Sequence, residues 1–182
     1  MPEHDFGQLR AAVLGSSLAE DWPTAVTEWR LSNAEEDPAG RGVCVCGKTG
    51  LVYLYTITNS ITGRTLHPIG SSCINQFERP DLNQDVTVIR QYIDLVNAVV
   101  AGRKIEFTSE FFSRAMLEDL EARGAFKPNK FNNNNGHNDY AFLVKMFNQR
   151  KDPTPAEKKK IWVLVNKVIL PAIAADERLR TL

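Results

Sequence analysis

All three cysteines of the chain, Cys44, Cys46 and Cys73, fall in one stretch, VCVCGKTGLVYLYTITNSITGRTLHPIGSSCINQF at residues 43–77, and His67 lies between them. Two thiols one residue apart converge when the chain turns tightly, and Gly47 supplies the backbone freedom for that turn. A third cysteine at the start of a helix can then approach the pair. Thiolate sulfur and neutral imidazole are the donors of closed tetrahedral zinc sites, so Cys44, Cys46, His67 and Cys73 make one candidate ligand set, with a structural zinc ion as the implied cofactor. Two alternatives stay open. His67 can sit at a strand end facing solvent, leaving water or a carboxylate to complete the shell, or the cysteines can be free buried thiols in a small hairpin.

Cysteine usage also bears on compartment. Three cysteines, two of them separated by one residue, do not make a secreted disulfide framework, which points to a reducing, cytoplasmic setting. The start, Met-Pro-Glu-His-Asp, has neither a basic head nor an apolar stretch, and the most apolar run, 161–165, soon meets Asn166 and Lys167, so neither a signal peptide nor a membrane span is expected. With 43% hydrophobic and 24% charged residues over 182 positions, the chain can form a true core and does not need metal merely to fold.

Hydrophobic spacing and punctuation outline the elements. Residues 4–18 carry Phe6, Leu9, Val13 and Leu14 at helical spacing, and AEEDPAGRG at 34–42 reads as an exposed loop. Strands are expected at 43–46, 51–58 and 64–69, with a hairpin loop at 59–63 and a short helix at 73–77. Residues 85–101 place Ile89, Tyr92, Ile93, Val96, Val99 and Val100 along one helical face; a second helix is expected at 109–123 and a third at 139–149, after the polar loop NNNNGHN. Thr154-Pro155-Ala156-Glu157 combines a cap, a proline at the first helical position and a glutamate three residues after the cap, so a last helix is expected from there to about Ala175, kinked at Pro171 and central to the core around 161–165.

The architecture this implies is α+β: an acidic N-terminal helix and loop (1–42), a cysteine-bearing β-hairpin module of treble-clef or ribbon-like layout (43–79), and a helical bundle with a basic late segment (80–182). The order C-x-C-G, I-x-N-x-x-T-G, P-I-G-S-x-C-I-x-x-F resembles a small zinc-finger-like module of bacterial, phage and mobile-element proteins. The matching positions are Cys44, Cys46, Gly47, Ile57, Asn59, Thr62, Gly63, Pro68, Ile69, Gly70, Ser71, Cys73, Ile74 and Phe77. Residues 124–171 are similar, less specifically, to the tail of such proteins, and the two segments together span somewhat under half the chain. The resemblance implies an accessory protein of a phage or mobile element. Many such modules carry a further Cys or His in the first strand, where 51–57 here offers only Leu, Val, Tyr, Thr and Ile.

Formal charge sums to zero but is segregated: residues 1–39 hold eight acids and two bases, residues 124–170 nine bases and three acids. A basic end of this kind suits a nucleic-acid backbone, or neutralises the acidic end within the fold. Lys127, Lys130, Lys151, Lys158, Lys159 and Lys160 are the candidate phosphate contacts, joined by Lys145 and Arg150, and Phe131 is the candidate stacking residue because the polar sequence around it offers little to bury it. Phe126 and Tyr140 are further aromatics of that segment.

The expected function is a noncatalytic accessory protein that binds nucleic acid or a nucleic-acid-processing complex. The alternative is a protein-binding inhibitor or adaptor of a host complex that uses the acidic head, at Glu20, Asp21, Glu28, Glu35, Glu36 and Asp37, without touching nucleic acid. No P-loop, dinucleotide fingerprint, H-E-x-x-H or G-x-S-x-G occurs, and the remaining catalytic candidates are a Cys73–His67 or a His137–Asp139 pair, so no enzyme is expected.

Overall fold

A computed structural model of the chain describes residues 6–179, so His4 lies outside the described residues. The fold is α+β, with a three-stranded antiparallel sheet, a short two-stranded ribbon and helices through the later part of the chain. It divides into two compact units, Met1–Arg90 with Glu177–Leu182, and Gln91–Asp176.

The first unit opens with α1 (Phe6–Leu14), which buries Leu9 and Val13 as its spacing predicts. A single turn, α2 (Trp22–Ala25), is capped by Asp21, whose side chain accepts from Thr24 N. Next comes β1 (Trp29–Glu36), which the sequence reading misses and partly assigns to a loop. Trp29, Leu31 and Ala34 are its buried residues, and a bulge between Leu31 and Asn33 breaks the two-residue alternation that would have revealed a strand. Acidic residues at its end are therefore strand residues: Glu36 pairs with Tyr53. Residues 29–36 thus supply an edge of the main sheet.

That sheet has the order β1-β4-β5, with β4 (Tyr53–Asn59) central and β5 (Thr65–Ile69) on the other edge. The expected strand at 51–58 is in fact two. Thr49–Leu51 (β3) pairs with Gly42–Val43 (β2) in the ribbon, and β4 begins after a bend at Val52. The hairpin between β4 and β5 is held by Asn59, whose Oδ1 accepts from Ile61 N and Thr62 N at 2.9 Å each. Helix α3 (Ser71–Asn75) follows β5 directly. Trp29, Tyr55, Ile57, Ile69 and Ile74 are fully buried in this unit. Phe77 packs edge-on against Trp22, and Trp22 against Phe6. Arg79 ties this core down by donating to the carbonyls of Val26 and Trp29, at 3.0 and 2.7 Å.

Helix α4 (Pro80–Val100) begins in the first unit and ends in the second. Tyr92 and Ile93 are buried as expected, but Val99 and Val100 are exposed and Leu95 and Ala98 are buried instead, so the buried stripe leaves the expected face over the last turns. The second unit continues with α5 (Arg114–Ala122), capped by Ser113, and α6 (His137–Asn148), which pack on each other through Met116, Leu117, Leu120, Leu143 and Met146. Between them the polar loop is built around a buried side chain. Asn132 is buried: its Oδ1 accepts from Asn129 N and Asn135 N, and its Nδ2 donates to Lys127 O and Asp139 Oδ2.

The last helix starts with the expected capping box at Thr154 and Glu157 and runs as α7 (Pro155–Leu164). It then widens into a π turn over Val165–Ile169 before α8 (Leu170–Ala174), where Leu170 N bonds to Val165 O. The widening sits just ahead of Pro171, which has no N–H to give to the preceding turn. The region 161–165 is not buried on all sides: Leu164 and Val165 face inward while Trp162 and Val163 are exposed. No described helix is long and apolar enough to cross a membrane.

Candidate metal centre

The ribbon brings the first two thiols together. Its turn, residues 44–48, is closed by Cys44 N donating to Lys48 O and Gly47 N donating to Cys44 O, each at 2.8 Å. Gly47 sits at a φ of +85°, a conformation costly for any residue with a Cβ, which explains the glycine after the second cysteine. Val45, between the thiols, donates its N–H to Pro68 O at 3.0 Å and so fastens the turn to β5. The chain then leaves β5 through Gly70, the cap of α3, and Cys73 arrives on the first turn of that helix.

All three thiols are buried, and their Sγ atoms lie within 4.8 Å of one another. Cys44 Sγ and Cys73 Sγ are 3.5 Å apart, and Gly70 N donates to Cys44 Sγ at 3.3 Å. The Cys73 thiol and the nearby N–H groups stabilise a thiolate at Cys44, pulling its pKa down to about 5 against the opposing effect of burial. Cys73 moves the other way, pushed up because its proton is held between the two sulfurs and because the site is buried. A set of three convergent sulfurs, one already inclined to be a thiolate, has the donor chemistry of a metal site.

His67 is not part of the cluster. Its Nδ1 is 2.8 Å from Thr56 Oγ1 and its Nε2 is 3.3 Å from Glu35 Oε1. With Nε2–H directed at Glu35, Nδ1 accepts from the Thr56 hydroxyl, so both ring nitrogens are engaged on β1 and β4. The fourth-ligand assignment read from the sequence is therefore corrected. His67 was placed by its position in the chain, and strand β5, which carries it at one point, delivers it to the sheet and not to the turn. Among the described residues no other histidine, aspartate or glutamate joins the three sulfurs.

The basic residues divide as well. Lys127, Lys130, Lys151, Lys158 and Lys159 are exposed, and so are Lys145 and Arg150. Lys160 is engaged: its Nζ is 2.8 Å from the buried Asp139 carboxylate and lies over the Phe142 ring. Phe131 is 80% exposed, with Lys130 Nζ 5.0 Å from its ring centre. Trp162, 58% exposed, is the aromatic that the sequence reading passed over as core. The available signal was its position one turn after Lys158 and Lys159, which places all three on one face of α7. Of the other aromatics in this segment, Phe126 is buried and Tyr140 half-buried, both packing.

Neither catalytic pair forms. His67 faces Thr56 and Glu35, while His137 Nδ1 is 2.6 Å from Glu121 and Asp139 is committed to Asn132 and Lys160. Comparison with protein-family models, curated proteins and solved structures finds no significant match to this chain.

Proposed function

We propose that this chain is a noncatalytic accessory protein, of the kind found in phages and mobile elements, that holds one zinc ion on Cys44, Cys46 and Cys73 and binds single-stranded nucleic acid through its helical unit. The observation that carries the nucleic-acid reading is the presentation of Phe131. Its backbone N–H is held by Asn129 Oδ1 at 2.8 Å, and the loop around it is pinned through the buried Asn132. An aromatic left outside a loop with so many internal bonds is held in place, ready to stack, at little further entropic cost on binding. Lys130 beside it, and Lys158 and Lys159 beside the exposed Trp162, repeat the combination of cation and aromatic that suits a phosphate chain carrying unstacked bases.

The acidic head gives less support to capture of a basic protein. Asp21 caps α2, Glu28 is buried, Glu35 meets His67 and Asp37 pairs with Arg41, so four of its acids have work within the fold. The test is titration of a labelled single-stranded oligonucleotide at several salt concentrations. Phe131→Ala is expected to weaken binding by about 1–3 kcal/mol with the melting point unchanged, and Lys158→Ala with Lys159→Ala to flatten the salt dependence. Retention of full affinity and slope in both variants would exclude these contacts; stoichiometric capture of a protein without any binding to the oligonucleotide would favour the adaptor reading.

A further inference from the structure

Three sulfurs occupy three corners of a tetrahedral ion, and what stands at the fourth decides whether the centre is only a staple. The described residues bring no fourth histidine, cysteine, aspartate or glutamate to the cluster. They bring instead a cavity of 150 Å³ whose wall includes Cys44 and Cys73 themselves, together with Lys48, Tyr53, Ser71 and Ser72. Resting on the metal reading above, we propose that the ion keeps an exchangeable fourth position opening on this cavity, and that its ligand is the thiolate of a small thiol.

The chemistry favours that class. An ion selected by three thiolates prefers a fourth soft donor, and a thiolate replaces bound water without changing the geometry. The exchange balances simply: the thiol loses its proton to solvent, its sulfur bonds to the ion, and one water leaves; nothing is oxidised or reduced. A fourth thiolate adds negative charge to a centre that already carries three, and Lys48 in the cavity wall offsets it while Ser71 and Ser72 offer hydroxyls to the polar end of the ligand. The cavity admits a molecule of a few heavy atoms, which sets the size class.

The test uses the full chain loaded with one cobalt(II) ion, whose colour reports its ligands, titrated with 2-mercaptoethanol and then passed through a desalting column to measure retained cobalt. The expected result is a saturable change at one thiol per ion, with sulfur-to-cobalt charge-transfer intensity rising by about one third as three thiolates become four, and cobalt fully retained. Ser72→Trp, which fills the cavity, should keep the cobalt and lose the response. An unchanged spectrum with cobalt retained overturns the open position while leaving the metal reading intact. Bleaching as cobalt leaves with the thiol also overturns the proposal, as does a full response in Ser72→Trp. Failure to bind cobalt at all overturns the metal reading with it.

Discussion

The ribbon with α3 and the pair α5 and α6 are built on different principles. In the first, short pieces of chain with few apolar residues end at three sulfurs, and turn hydrogen bonds such as Cys44 N to Lys48 O set the geometry. In the second, Met116, Leu117, Leu120 and Leu143 fill a continuous apolar layer between two helices of 9 and 12 residues. A layer of that kind is stabilised by the area it removes from water, and its loss is graded. A centre of three ligands is all or none, because each ligand lost leaves the other two unable to hold the ion. The contrast teaches that metal and apolar packing should fail separately in this protein.

The largest effect is expected from Cys73→Ala. It should lower metal affinity by more than the ~10–100-fold that loss of an outer partner costs, and open the amides of 42–51 and 70–77 to hydrogen exchange while those of α5 and α6 stay protected. Uniform protection after metal loss would contradict the division. Leu143→Ala is the converse: it should destabilise the helical unit by about 2–5 kcal/mol in denaturant melts and leave the metal content at its wild-type value.

A pH effect distinguishes the first unit further. Glu28 accepts from Asn59 Nδ2 and from the N–H groups of Leu18 and Ala19, and the Asn59 bond foremost holds its carboxyl below the ordinary range. A depressed folded pKa contributes stability that is complete above the unfolded value of ~4.3 and fades as pH falls through the folded one. Melting points measured below pH ~4.5 should therefore drop less steeply in Glu28→Gln than in the wild type; equal slopes would remove Glu28 from the account. The smallest effect is expected from His67→Ala, whose half-exposed contact with Glu35 is worth about 0–1 kcal/mol and whose loss should not change metal stoichiometry. Loss of the ion in that variant would restore His67 to the ligand set.

These predictions also mark how far the sequence could be read. The hairpin, the short helix after Gly70 and the capped helix at Thr154 were legible because their signals are local: strand-forming runs around Asn59, a glycine entry, a capping box. The gathering of Cys44, Cys46 and Cys73 followed from the turn glycine and the helix start. Strand β1 was not legible because its bulge breaks the alternation, and the role of His67 was not because it depends on Thr56 and Glu35 from two other strands. Trp162 was misread because an apolar run looks the same whether a helix is surrounded or only leans on its neighbours; here Leu164 and Val165 face inward while Trp162 and Val163 stay exposed.

Whether the three sulfurs hold an ion is decided by elemental analysis of tag-free protein combined with thiol counting before and after chelation under denaturing conditions. The account predicts one zinc ion per chain, with all three thiols shielded in the native state and released together when the ion is removed. Metal-free protein whose three thiols react freely, or a Cys44–Cys73 disulfide in place of the ion, would contradict it.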